Sequence, residues 1–338
     1  MARPLHGRSA IVTGAGRGLG RAEAAELARL GASVVVNDHG RPGRDGSGAV
    51  DPTPAESVAE EIRAAGGTAL AHTGDIADFA VARDLVGHAV DAFGGLDILV
   101  NNAGILRDRM VFSMTEDEWD AVVRVHLKGH FNTVRFAAAH WREQSKATGA
   151  PTYGRIVNTS SEAFLAGSAG QPNYAAAKGG IVGLTTSTAH ALARYGVTVN
   201  AICPRARTRM TRDVFGPADA AGGLDPLAVE HVAPLVGYLA SPGAGRVNGQ
   251  VFVVHGGMVA VLERPRVAAM FHSSGETFGH EELGRVLTPY FAEREPGESF
   301  AAVEVLRLRR TAPAAGGPAL DGGGEDARPD GDGPARRN

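Results

Sequence analysis

Short apolar runs, several of them rich in β-branched residues, recur along the chain at Ser9–Thr13, Ser33–Asp38, Ala69–Thr73, Ile98–Asn101, Arg155–Thr159, Thr198–Cys203 and Val251–His255. Most are continuous rather than alternating, the pattern of strands covered on both faces. Between them lie segments with apolar positions at helical spacing: Glu23–Leu30, Glu56–Ala65, Val81–Phe93, Glu118–Ser145 and Ala175–Tyr195. Strand and helix in alternation predict an α/β fold, a doubly wound seven-stranded parallel sheet with helices on both faces. No internal repeat with a period of about 20–50 residues interrupts this order.

The pattern changes after residue 262. Residues 1–262 are expected to form one domain, and residues 263–310 an extension packed on it, with a helix at Glu281–Phe291 and a strand at Ala301–Leu308. Residues 311–338 are mostly Gly, Ala, Pro, Asp and Arg with Leu320 as the only large apolar side chain, so a disordered tail is expected.

Composition narrows the function. The chain has 338 residues, 43% hydrophobic and 21% charged, as in an ordinary globular protein. Lys and Arg number 34 against 37 Asp and Glu, which leaves no basic field for nucleic acid. The single cysteine, Cys203, excludes an intramolecular disulfide and a cysteine zinc site. The twelve histidines do not cluster at ligand spacing, so no metal is expected. No apolar run reaches the ~18 residues of a membrane span, and no signal peptide is legible. A cytoplasmic protein with no membrane or nucleic-acid partner is the expectation.

Candidate chemistry begins at the first strand. It leads into Thr13-Gly14-Ala15-Gly16-Arg17-Gly18-Leu19-Gly20 and then a helix. Glycines here permit a tight turn, close approach of the backbone to a pyrophosphate, and close packing of helix on strand. Phosphates would sit at the helix N-terminus, where free N–H groups and the dipole favour negative charge. Gly14, Arg17, Gly18, Leu19 and Gly20 are therefore candidate cofactor contacts. Asp38 ends the next strand, where a carboxylate can accept hydrogen bonds from an adenosine ribose diol and repel a 2′-phosphate. That favours NAD over NADP. Arg41 and Arg44, in a Gly/Pro-rich insertion, keep NADP open, since an arginine can pair with a phosphate. Asp75-Ile76 and Asn102-Ala103-Gly104 follow the third and fourth strands, where a doubly wound sheet places ligand contacts.

Tyr174 and Lys178 stand one helical turn apart and share a face. A phenol is a poor base at neutral pH, and a nearby ammonium is expected to bring it toward working range. Ser161, just past the strand Arg155–Thr159, could hydrogen-bond a substrate oxygen while the tyrosine moves the proton; Ser160 should point the other way.

The glycine loop, Asn101-Asn102-Ala103-Gly104, Ser161, Tyr174-Ala-Ala-Ala-Lys178 and Asn200-Ala201-Ile202-Cys203-Pro204 together resemble the short-chain dehydrogenase/reductase family over roughly residues 1–262. The resemblance implies a Rossmann-type fold and hydride transfer to or from a nicotinamide. It implies that Ser161 orients the reacting oxygen, Tyr174 is the acid/base, and Lys178 supports the tyrosine and the nicotinamide ribose. It adds Val125, Pro204 and Thr208 as cofactor contacts. It also implies a homodimer or homotetramer through the long helix and the Tyr174 helix. The stretches around Asn37-Asp38, Gly104–Arg109, Arg124–Gly129 and Tyr238-Leu239 are similar to the (3R)-hydroxyacyl-CoA dehydrogenase module of multifunctional β-oxidation enzymes and its actinobacterial relatives. Two positions depart from the broad family. His126 stands where an Asn usually orders a water linked to the lysine, and Arg205 follows Pro204 where Gly is usual, with Thr208 one residue closer. Imidazole can both donate and accept, so His126 is a candidate for the same relay; a packed helix histidine is the alternative.

These features point to an oxidoreductase that interconverts a secondary alcohol and a ketone, foremost a 3-hydroxyacyl or 3-ketoacyl thioester. A hydroxysteroid dehydrogenase or a polyketide ketoreductase shares the chemistry. A catalytically silent dinucleotide sensor shares only the fold, and the Ser161, Tyr174 and Lys178 set argues against it.

Overall fold

A computed structural model describes residues 3–42, 50–51, 53–211, 216, 224–295 and 298–309. The seven expected strands form: β1 (Ser9–Val12), β2 (Ser33–Asp38), β3 (Thr68–Thr73), β4 (Ile98–Asn101), β5 (Gly154–Thr159), β6 (Val197–Pro204) and β7 (Val251–His255). They run parallel in the order β7-β6-β5-β4-β1-β2-β3. An eighth strand, β8 (Met258–Val261), adds antiparallel to β7. Its hairpin is made by Gly256 and Gly257, both with positive φ (54° and 76°), the conformation a tight two-residue turn demands.

The continuous apolar runs reflect burial on both faces. Ala10, Val12, Val34, Val36, Ile98 and Val100 point to one core, where Leu27, Val58 and Val236 meet them. Ile11, Val35, Leu99 and Ile156 point to the other, filled by Leu85, Val134 and Trp141. The first layer belongs to helices α1 (Gly18–Arg29), α2 (Thr53–Ala64) and, later in the chain, α8 (Ala233–Ala240). The second belongs to α3 (Phe79–Phe93), α5 (Gly129–Thr148) and α7 (Pro172–Leu192).

The expected helix Glu118–Ser145 is instead three pieces: α4 (Glu116–Val123), a π-helical turn at Arg124–Lys128 and α5. A π-turn rotates the side chains that follow and is frequent at functional sites; here it carries His126. The extension forms α9 (His280–Ala292), as expected. The expected strand Ala301–Leu308 is a 3-10 turn, Val303–Arg307. Arg205 takes the carbonyls of Val305 and Leu308, groups that a strand would offer to a neighbouring strand. Tertiary contact overrides β-propensity there. The expected tail and Arg44 lie outside the described residues, as does the side chain of Arg41. Among the described residues no helix is long and apolar enough to cross a membrane, and no group of three or more His, Cys, Asp or Glu is placed to hold a metal.

Candidate active site

Strand order reverses between β1 and β4, and a doubly wound sheet binds ligands beyond the strand ends at such a point. Two loops meet there. The Thr13 hydroxyl accepts from the backbone N–H groups of Asn102 (3.1 Å) and Ala103 (3.2 Å). The Asn102 side chain donates back to the carbonyls of Thr13 and Gly14, each at 3.1 Å. Glycine is required at two points of this junction. A Cβ on Gly14, which has φ 62°, would stand 2.7 Å from Ala103 Cα, and one on Gly20 would stand 2.6 Å from the Gly14 oxygen. Leu19 packs on the core below. Thr208 reaches the same loop: its Cγ2 would be 3.7 Å from a Cβ on Gly18.

The second strand delivers Asp38 to this loop. Its carboxylate accepts from the N–H of Gly16 (3.0 Å) and of Gly40 (2.9 Å), and Arg17 Nη2 lies 3.7 Å away. A Cβ on Gly16 would come within 2.8 Å of Asp38 Oδ2, so the glycine is what lets the carboxylate close on the loop. A glycine loop opening a helix beside a fixed carboxylate suits a dinucleotide, phosphates toward α1 and ribose toward Asp38. Asp75 pairs with Arg124 at 2.7 Å. Ile76 is buried against Gly129, and its carbonyl accepts from Asn132 at 3.0 Å, so this pair walls the cleft from the β3 side.

Across the cleft, β5 ends at Thr159 and α7 rises beside it. Lys178 is buried; its Nζ donates to the Thr159 carbonyl at 2.6 Å and lies 5.4 Å from the centre of the Tyr174 ring. Ser160 points away, donating to the Lys178 carbonyl at 2.9 Å. Burial lowers the Lys178 pKa to about 7 and raises that of Tyr174 to about 12; the Ser161 side chain, standing against the phenol, pulls the tyrosine the other way. The expected depression of the phenol by the lysine is therefore not what the protein shows by itself. Burial outweighs it, and the ammonium is turned to a backbone carbonyl instead of the phenol.

His126 packs edge-on to Tyr174, with centroids 5.2 Å apart. Its Nε2 faces Ile105, 2.8 Å from the carbonyl and 3.1 Å from the amide nitrogen. Assigning the proton by the shorter contact puts it on Nε2 and leaves Nδ1 as a buried acceptor with no hydrogen-bond partner among the described residues. Burial first, then the charge of Lys178, holds the imidazole pKa well below 6.5, so the ring is neutral. Gly104 is obligatory beneath it, since a Cβ there would strike the ring. Val125 lies half-buried on the same π-turn.

Three groups escaped the sequence reading. Asn173 is fully buried and donates to the carbonyls of Arg107 and Glu118, both at 3.0 Å, which ties the start of α7 to the opposite loop. A buried chain runs from Thr133 to Asn101 (2.7 Å), Asn101 to Asn158 (3.0 Å) and Asn158 to Thr185 (2.9 Å), and it braces the strand ends under the site. Glu162, next to Ser161, grips Arg205. The position of Asn173 between a helix-starting Pro172 and Tyr174 was a signal for the first; strand-end asparagines in two neighbouring strands were a signal for the second.

Comparison with known proteins agrees with this geometry. Residues 8–217 match the family model for short chain dehydrogenases. The chain is 53% identical over 310 residues to hydroxyacyl-CoA dehydrogenase ChsB1 of Mycobacterium tuberculosis, covering 90% of this chain and 94% of that protein. It is 41% identical over 269 residues to the mouse peroxisomal multifunctional enzyme type 2, covering 79% of this chain and 34% of that longer protein. A crystal structure of a short chain dehydrogenase from Mycobacterium avium superposes with a TM-score of 0.77 at 50% identity, covering 87% of this chain and 97% of that one. By its sequence, its sheet order and the pairing of a glycine loop with a Ser-Tyr-Lys cluster, the chain belongs to the short-chain dehydrogenase family.

Proposed function

We propose that the protein is an NAD-dependent dehydrogenase that interconverts the alcohol and ketone of a 3-hydroxyacyl thioester. The observation that carries the chemistry is the grouping of Ser161, Tyr174 and Lys178 at one mouth of the cleft. The hydroxyacyl-CoA and multifunctional-enzyme relatives support the thioester, and Asp38 supports NAD. A bound nicotinamide supplies the hydride acceptor or donor. Ser161 holds the reacting oxygen by its hydroxyl. The Tyr174 phenol exchanges the proton with that oxygen. With a pKa pushed up to about 12, it stays protonated at neutral pH and is ready to donate to a carbonyl. Lys178 lies buried beside the ring, its Nζ 5.4 Å from the ring centre, and His126 packs edge-on against the phenol. Exposed Trp119 on α4 and Phe131 on α5 suit an interface between subunits of a homodimer or homotetramer.

Tyr174→Phe tests the acid/base role. The ring still fills its place against His126, so NADH affinity is expected to stay within about twofold while kcat falls at least a hundredfold, in the ~10²–10⁴ range of general acid–base catalysis. A variant that kept more than about a tenth of wild-type kcat, a loss below ~1.4 kcal/mol, would overturn the assignment.

A further inference from the structure

Arg205 and Glu162 form a buried ion pair that reaches in two directions. Their side chains are 11% and 7% exposed, and two parallel contacts join them: Nε to Oε2 at 2.5 Å and Nη2 to Oε1 at 2.6 Å. Such a fork is the strong form of an arginine–carboxylate bond. The guanidinium directs two further donors to the extension, from Nη1 to the Leu308 carbonyl at 3.2 Å and from Nη2 to the Val305 carbonyl. A further bond runs from the Ala302 N–H to the Leu165 carbonyl at 2.8 Å. Buried Val305 and the packing of Leu308 on Ala201, Cys203, Val251 and Val253 anchor the turn.

The other end of the pair is the site. Glu162 directly follows Ser161 and caps α6 (Ala163–Ala166), accepting on its carbonyl from Leu165 (3.0 Å) and Ala166 (2.9 Å). The Ser161 hydroxyl accepts from the Ala163 N–H at 3.2 Å, so the serine and the first turn of α6 move as one unit. Among the described residues, polar links join the segment 161–171 to the extension at two points, the Glu162 carboxylate through Arg205 and the Leu165 carbonyl through the Ala302 N–H.

We propose that Arg205 is a positioning residue: with Glu162 it fastens the Ser161 loop to residues 301–309, so that the extension sets where the serine hydroxyl meets the substrate oxygen. The extension is thereby part of the machinery for the acyl substrate and not an appendage. A flexible loop would hold the serine loosely, and small misplacement of an orienting group can cost on the order of a hundredfold in rate. The inference rests on the dehydrogenase reading for its kinetic test, but its structural content does not.

The experiment compares the full chain, as reference, with chains ended at Arg310 and at Phe300. Each is made with the native pair and with Glu162→Met and Arg205→Met together, which removes both charges and leaves no buried ion unpaired. The readouts are kcat with a 3-hydroxyacyl-CoA, NADH affinity, and amide hydrogen exchange across residues 161–171 and 14–20. Shortening the chain to Phe300 and replacing the pair are each expected to lower kcat at least tenfold. NADH affinity should stay within about twofold, and exchange should rise in 161–171 but not in 14–20. Because the pair is proposed to act on the Ser161 loop through residues 301–309, replacing it in the shortened chain should cost less than about threefold more than shortening alone. Independent, multiplying losses would overturn the clamp, as would unchanged exchange in 161–171 on shortening to Phe300. An inactive reference chain would refute the dehydrogenase reading, while the exchange data would still decide the clamp.

Discussion

The Lys178 ammonium is sealed against the Thr159 carbonyl, 2.6 Å away and out of contact with solvent. The bond fixes where the cation sits before any ligand arrives, and burial makes that cation costly. Its pKa falls from 10.5 to about 7. A lysine lowered in the folded state contributes stability that is present above its unfolded pKa and lost as pH falls through the folded one. Lys178→Met should therefore raise Tm most near pH 6, and the gain should shrink toward pH 10. A gain that is constant between those limits, followed by calorimetry, would show that the ammonium is not buried as described.

Glu23 on α1 is the opposite case. It is fully buried, neither carboxyl oxygen has a hydrogen-bond partner among the described residues, and burial raises its pKa from 4.5 to about 8. A raised carboxylate leaves stability intact below its unfolded pKa and loses it as pH climbs through the folded one. Glu23→Gln, neutral at every pH, should match the native protein near pH 5 and exceed it near pH 9. The gain should be on the order of 3–5 kcal/mol. Equal Tm values at pH 9 would contradict the burial of a titrating carboxyl at this position.

Asp38 holds the glycine loop through Gly16 and draws Arg17 to 3.7 Å. Asp38→Ser removes the ribose acceptor and a charge that repels a 2′-phosphate, and it leaves Arg17 without that carboxylate. The ratio of kcat/KM for NAD to that for NADP is expected to fall at least tenfold. A native enzyme already faster with NADP would show that an arginine, not Asp38, decides the choice.

Much of the fold was legible because its strands are buried on both faces, and two-sided burial writes itself as continuous apolar runs such as Val34-Val35-Val36. The eighth strand was less legible. Met258–Val261 alternates half-buried and exposed positions, and its sign was the glycine pair at 256–257. The π-turn at His126 leaves no mark in helical periodicity, since it shifts register only by one residue. Among the site residues, Tyr174, Lys178 and Ser161 announce themselves by spacing and chemistry. Asn173 is marked only by its place between Pro172 and Tyr174, and Glu162 acts through an arginine contact that spacing cannot show. Arg205 stood out only as a departure after Pro204; the carbonyls it binds lie some hundred residues away in sequence.

Hydride transfer between NAD and a 3-hydroxyacyl thioester, with the proton passing through Tyr174, is the central proposal. The most direct measurement is the initial rate of NADH formation by the full chain with a panel of 3-hydroxyacyl-CoA esters, hydroxysteroids and simple secondary alcohols. NAD and NADP are run in parallel, with Tyr174→Phe as the blank. A hydroxyacyl-CoA with NAD is expected to give a kcat/KM at least tenfold above every other pairing, and Tyr174→Phe to remove it. Preference for a hydroxysteroid, or NADH bound tightly with no turnover of any alcohol, would contradict the proposal.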